Sequence, residues 1–419
     1  MSSNPRITVV STGSELTSGR SYDTNSAWIA NELFGLGFSV EKFIVLPDDP
    51  VLIRKELESC FAGASAENPV LIVMTGGLGP TEDDFTLEIV CELTDSVPVR
   101  DEKAYSRLQA LYRLRGRSFE EALTTAIRQV SIPSKAKVLE NKVGIAPGFW
   151  SEVRPGAYLA CMPGVPAEMT EMFRKELSPK ISETFRSQEL TSDFRFIWGM
   201  SESLFQSEFI SNSSMIKEGK AIWGVAAKRG YIRVTYQSPN RDIVSQLISE
   251  TEGKYKELCT GDVFEELPAL LLKHKLTLGT AESCTGGLVA KLLTDRAGSS
   301  DYFMGSVVSY SNSLKEAILG VKSSSLESFG AVSEEVAKEM AENAVNVLGT
   351  DLAISLTGIA GPGGGTQTKK VGTLYIGVHI KGKGTTVRGL YFPFSRESFR
   401  DAAATTALYL LYDRLRKEV

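Results

Sequence analysis

The strongest constraint in this chain is a rhythm that occurs twice. Short runs of β-branched and apolar residues alternate with longer stretches that repeat their apolar positions at helical spacing. The first occurrence reads RITVVST, NSAWIANELFGLG, VEKFIVL, VLIRKELESCFAGA and PVLIVMTGG, and it closes on YLACMPG and the proline-opened stretch VPAEMTEMFRKEL. Strands alternating with helices predict βαβ units, a mainly parallel sheet and helices on both faces. The second occurrence begins at about residue 264, with KLTLGTAES, GGLVAKLLTDRAG, YFMGSVVSYS and a helix that Ser333 caps. It continues through LAISLTG, GTLYIGVHI and TTVRGLYFPF to a final helix. Between the two the pattern weakens to FRFIWGM, AIWGVAA, YIRVTYQ and one longer helix, a small α+β unit. The expectation is an α/β protein with two three-layer domains, 1–177 and 264–419, joined by a connecting domain over 178–263. A length of 419 residues suits two or three cores of ordinary size.

Charge and composition then exclude whole classes of function. With 46 Lys+Arg against 51 Asp+Glu, and no basic block, nothing prepares the chain to neutralise a phosphate backbone, and no nucleic-acid partner is expected. No apolar run approaches the roughly 20 residues that span a bilayer, and the first six residues are too polar for a secretory leader, so no membrane partner and a cytoplasmic location are expected. Five widely spaced cysteines without a C-x-x-C pair indicate neither a disulfide framework nor a zinc knuckle. Only two histidines, His274 and His379, occur, and neither lies beside a candidate nucleophile in sequence. A hydrolase built on this chain needs a base other than histidine.

Two groups of segments carry chemistry. In the last third, ESCTGG places Ser283, Cys284 and Thr285 where a strand turns into a helix, with Gly286 and Gly287 opening the backbone to a ligand. Open α/β sheets bind ligands at such strand ends, and helix starts present unpaired N–H groups. The plainer reading makes Ser283 or Thr285 a helix cap. Further on, YSNSLK brings Tyr310, Asn312 and Lys315 together, and a buried lysine is a sensible base for a serine hydroxyl. LTGIAGPGGGTQTKKVGT is either a cradle of backbone donors or a flexible loop. In the first third, STGSELTSGRSYDTNS and TGGLGPTEDD both follow strands. The glycines could cradle a phosphate, with Asp83 and Asp84 holding a divalent cation against it.

In order and spacing, ESCTGG, then GSS-x-YF-x-G-x-VV-x-YSN-x-x-K-x-x-x-LGV, then TGIAGPGGG-x-x-x-K-x-VGT resembles the CinA carboxy-terminal family of nicotinamide-nucleotide amidases over residues 267–415. The resemblance implies Ser283 as nucleophile, Lys315 as base and Tyr310 in their hydrogen-bond network. Thr285, Gly286, Gly287, Asn312, Thr357, Gly358 and Arg396 would line the substrate site. Phe394 and Ser395 stand where the family usually has Gly-Asp before that arginine. The implied reaction converts nicotinamide mononucleotide to the nicotinic acid nucleotide and ammonia, without a cofactor, and backbone N–H groups at the helix start would hold the oxyanion. Cys284 is the rival nucleophile by position.

Residues 6–177, with NKVGIAPGF and MPGVPAEM, resemble the molybdopterin-binding-like domain at the amino end of full-length CinA proteins. Members are described as metal-dependent ADP-ribose pyrophosphatases and as dimers. That resemblance implies a site of Glu15, Asp23, Asn25, Gly76, Gly77, Gly79, Thr81 and Lys142, a Mg2+-like ion near Asp83 and Asp84, ADP-ribose as a second substrate, and a homodimer. Ser14, Thr17 and Ile145 depart from the usual family residues. The same pockets would also suit a catalytically silent nucleotide-binding or regulatory protein, and fold analogy alone would allow pterin handling.

Overall fold

The computed structural model describes residues 4–114, 126–187 and 190–418, so the first three residues of the polar amino end lie outside the described residues. The chain is mixed α/β and divides into two compact units, Met1–Leu190 and Thr191–Val419.

The first unit contains strands β1 (Arg6–Thr12), β2 (Val40–Leu46), β3 (Val70–Thr75), β4 (Pro98–Arg100), β5 (Ser131–Pro133), β6 (Lys137–Leu139), β7 (Gly148–Arg154) and β8 (Ala157–Met162). Six of them form one sheet in the order β2-β1-β3-β8-β7-β6, and β4 pairs with β5. The pairs β1–β2, β1–β3 and β3–β8 are parallel, whereas β7 joins β8 and β6 antiparallel. β3 is buried at every position, as a parallel strand covered on both faces must be. Ile7, Val9, Leu71 and Val73 meet Ile29 and Leu33 of the helix Thr24–Gly35 on one face. Val10, Ile72 and Met74 meet Ile53 and Leu57 of the helix Pro50–Cys60 on the other.

The second unit opens with an antiparallel sheet, order β10-β11-β9-β12, made of β9 (Thr191–Trp198), β10 (Ile222–Ala227), β11 (Tyr231–Ser238) and β12 (Cys259–Thr260). The expected connecting segment is thereby divided. The helix Ser178–Thr184 places Ile181 in the core of the first unit, and the sheet belongs to the second.

The remaining strands, β13 (Leu278–Glu282), β14 (Phe303–Val308), β15 (Leu352–Gly358), β16 (Thr373–Ile380) and β17 (Gly384–Tyr391), form a sheet of order β14-β13-β15-β16-β17. Leu352, Ile354 and Leu356 pack against the helices Val263–His274, Leu288–Thr294 and Arg396–Glu418. The alternate positions Ala281 and Ala353 meet Met340 and Ala344 of the helix Glu334–Leu348. The Ser333 hydroxyl accepts from the Val336 N–H at 3.3 Å, a cap worth about 1 kcal/mol. Leu356 is fully buried, and truncating such a side chain to alanine costs about 2–5 kcal/mol.

Both major sheets reverse direction beside their first strand: β1 lies between β2 and β3, and β13 between β14 and β15. Each reversal splays the loops apart at the carboxyl ends of the strands and opens a crevice there.

Candidate functional site

At the second crevice the chain leaves β13 through Ser283, whose N–H donates to the Leu356 carbonyl at 3.0 Å, holding the serine against β15. Gly286 and Gly287 follow with φ of +59° and +93°, conformations that let the chain turn sharply into the helix Leu288–Thr294. Glu282, fully buried, folds under this turn. Its carboxylate accepts from the N–H groups of Gly287 at 2.9 Å, Val289 at 3.2 Å and Ala290 at 2.8 Å. Neither Ser283 nor Thr285 caps the helix. Glu282 thereby occupies three of the N–H donors that the sequence reading offered to an oxyanion at this helix start.

Lys315 reaches the same point from the helix Asn312–Ala317, which Ser311 caps through the Leu314 N–H. It is the fourth residue of that helix and its side chain turns inward, to 1% exposure. Nζ lies 3.0 Å from Ser283 Oγ and 2.7 Å from the Ser309 carbonyl. Burial pushes the lysine pKa below its ordinary 10.5. A lysine held this way, donating to one carbonyl and facing one hydroxyl, can present its lone pair to the serine proton.

Cys284 points the other way. It is 6% exposed, belongs to the same hydrophobic cluster as Leu356 and Phe399, and burial pushes its thiol up to about 12. A thiolate is strongly disfavoured there.

Two arginines close the site from the helix Arg396–Glu418, four residues apart and so on one face. Arg396 donates to Tyr310 Oη at 2.7 Å and to the Gly361 carbonyl at 2.9 Å, tying the tyrosine to the glycine-rich loop. Arg400 donates to the Thr285 carbonyl from Nη2 at 2.7 Å and from Nε at 3.2 Å. Among the described residues neither guanidinium is drawn into an ion pair, so both retain positive charge for an anion. Arg400 was not expected from the sequence, although its spacing from Arg396 is the signal that could have found it.

The other expected residues are spread around this centre. Gly358 is required by packing, since a Cβ there would sit 2.9 Å from both Phe399 and the Thr373 carbonyl. Thr357 is 1% exposed and donates to the Ala331 carbonyl at 2.7 Å, which makes it part of the wall. Asn312 opens its helix and is exposed.

The first crevice is a cavity of about 510 Å³. Glu15, Asp23, Asn25, Gly76, Gly77, Gly79, Thr81, Asp83 and Asp84 all line it, whereas Lys142 is exposed and outside the lining. Gly77 has φ of +65°, and a Cβ on it would collide with Thr86 Oγ1 at 2.2 Å. Several polar residues brace the loops: the Asp23 carboxylate accepts from the Ser26 N–H at 3.0 Å, Asn25 Nδ2 donates to the Gly164 carbonyl at 2.8 Å, and Asp84 accepts from the Thr81 N–H at 2.9 Å. Six carboxylates line the cavity, those of Glu15, Asp23, Asp48, Asp83, Asp84 and Glu168, and no Lys or Arg does among the described residues. No three metal-type side chains converge among the described residues. Such a cavity does not suit an all-protein cage. Its carboxylates are of the kind that would hold a Mg2+-like ion one or two at a time, with other oxygen donors completing the shell.

Comparison with known proteins adds independent findings. Residues 261–415 match the family described as the CinA C-terminal domain, and residues 8–183 match a probable molybdopterin binding domain. A CinA-like protein of Leptospira borgpetersenii serovar Hardjo-bovis (strain L550) is 59% identical over 413 residues, 99% of each chain. The chain belongs to the CinA-like family. A CinA-like protein of Syntrophomonas wolfei is 35% identical, over 97% of this chain and 98% of its own. Among solved structures, the competence/damage inducible protein of Agrobacterium tumefaciens is 37% identical across 38% of this chain and 97% of its own, with a TM-score of 0.36. The two-part family organisation expected from the motifs is therefore present along nearly the whole length. Among the described residues no helix is long and apolar enough to cross a membrane.

Proposed function

We propose that the second unit hydrolyses the carboxamide of nicotinamide mononucleotide, giving nicotinic acid mononucleotide and ammonia. The observation that carries this reading is the buried Lys315 Nζ at 3.0 Å from Ser283 Oγ, in a site without histidine. Neutral Lys315 takes the hydroxyl proton as Ser283 Oγ attacks the carboxamide carbon. The resulting ammonium returns the proton to the leaving nitrogen, ammonia departs, and an acyl-serine remains. Water, deprotonated by the same amine, releases the acid and restores the hydroxyl. The oxyanion would be held by the backbone N–H groups at the turn after β13 that Glu282 does not occupy, or by those of the glycine-rich segment that follows β15. Arg396 and Arg400 are the anchors for the substrate phosphate. The deciding experiment follows ammonia release from nicotinamide mononucleotide by Ser283→Ala, with circular dichroism to confirm folding. Release is expected to disappear, and release at the wild-type rate would remove Ser283 from the role.

The first unit, on the same proposal, is a metal-dependent pyrophosphatase acting on ADP-ribose. Its acidic cavity and glycine turn support this reading. A bound divalent cation would neutralise the bridging phosphates and lower the pKa of an attacking water. Glu15 and Asp83 are the candidate holders of the ion, Asp84 being engaged with Thr81, and the amides of the glycine turn would orient the phosphates. The protein would act as a cytoplasmic homodimer, in a compartment where its five free cysteines stay reduced.

A further inference from the structure

Tyr22 is unusual on this molecule. It is 91% exposed, yet it lines the cavity of the first unit, and it is the single aromatic among the described lining residues. The loop that carries it is pinned on both sides. Ser21 N–H donates to the Glu15 carbonyl at 3.1 Å, the Tyr22 carbonyl accepts from Thr24 N–H at 3.0 Å, and the next residue, Asp23, accepts from both Ser26 N–H at 3.0 Å and Ser26 Oγ at 2.5 Å. The fold therefore holds the backbone of an uncovered aromatic residue in place at a polar, acidic cavity, and its ring packs in no apolar cluster among the described residues.

The rest of the lining sharpens the point. Glycine turns at Gly76 and Gly77 leave backbone open to a phosphate, but no lysine or arginine among the described lining residues would add a charge-assisted contact. A ligand with a planar ring gains from Tyr22 what the cavity does not supply through cations, and a loop already pinned loses little backbone entropy when the ring stacks.

We propose that Tyr22 is the platform on which the planar base of a nucleoside diphosphate moiety stacks, with its phosphates directed to the glycine turn, so that this side chain selects base-bearing ligands. The proposal rests on the nucleotide reading of the first cavity given above. The test measures binding of ADP, and of ribose 5-diphosphate, which lacks the base, to the full-length protein in Mg2+ buffer by calorimetry. Wild type is expected to bind ADP more tightly than ribose 5-diphosphate. Tyr22→Ala should weaken ADP roughly 5- to 150-fold, the range that base–aromatic stacking commands, and leave ribose 5-diphosphate unchanged. Tyr22→Phe should keep wild-type affinity for both, since the ring and not the hydroxyl is engaged. Wild-type protein that binds the two ligands equally, or a Tyr22→Ala variant that weakens both or neither, would overturn the stacking role while leaving the cavity a phosphate site. Wild-type protein that binds neither ligand would overturn the nucleotide reading together with this one.

Discussion

The two crevices occupy equivalent places in their sheets and solve opposite problems. In the second unit the serine–lysine pair is buried: Lys315 is 1% and Ser283 9% exposed, and burial lowers the lysine pKa. On the proposed reading, nucleophile, base and positive charge all come from the protein's own side chains. In the first unit six carboxylates line an open polar cavity without a Lys or Arg among the described lining residues, so an anion bound there would need its countercharge from outside. The same topological device therefore supports either chemistry. What differs is whether the strand end delivers a buried serine–lysine pair or an acidic basin.

This contrast can be broken most decisively at the base. Lys315→Met should reduce nicotinamide mononucleotide deamidation at least about a hundredfold, the usual minimum for losing a general base, while hydrolysis by the first unit continues. Deamidation at a normal rate in the folded variant would show that another group takes the serine proton. Chelation separates the units in the reverse sense. EDTA should abolish ADP-ribose cleavage and leave ammonia release within about twofold, and an equal loss of both would end the distinction.

A pH profile sharpens the comparison further. Lys315 must be neutral to accept a proton, so kcat/KM for deamidation should rise with pH through the lysine pKa, up to tenfold per unit, with its midpoint below the ordinary 10.5. A midpoint at or above 10.5 would contradict the buried geometry. The sign for stability is the same. Burial penalises the charged form, so the penalty is present below the lowered pKa and is relieved as pH rises from there toward 10.5. The smallest effect belongs to Cys284. Cys284→Ala should keep deamidation within about twofold and cost about 1 kcal/mol of stability, measured by denaturant unfolding, because the thiol packs in the core. Loss of activity with little loss of stability would reinstate it as the nucleophile.

Much of this was legible before any coordinates. Alternation of apolar runs announced β1, β3, β13 and β15, since a parallel strand covered on both faces can be little else. Ser333 capped its helix as its position next to Glu334 and Glu335 implied. The scarcity of histidine directed attention to Lys315, and ESCTGG marked the turn. Other roles were not legible, because they depend on where a side chain points after a turn. Glu282 reads as one more strand residue, and only the fold brings its carboxylate under three N–H groups. Arg400 reads as a surface charge on a long helix, and only the packing of that helix sets it against Thr285. Lys142 fits a site motif in sequence yet lies outside the cavity lining.

The order of residues by itself determined most of the elements and brought Ser283 and Lys315 forward as candidates, because periodicity, caps and glycine turns act over a few neighbouring residues; the division near residue 190 came from the fold. The tertiary structure decided the direction of each side chain at the strand ends: Ser283 toward Lys315, Cys284 into the core, Glu282 beneath the helix. Adjacent residues on an irregular turn diverge by backbone angles that long-range packing sets. A separation of 32 positions between Ser283 and Lys315 closes to 3.0 Å only when β14 aligns beside β13.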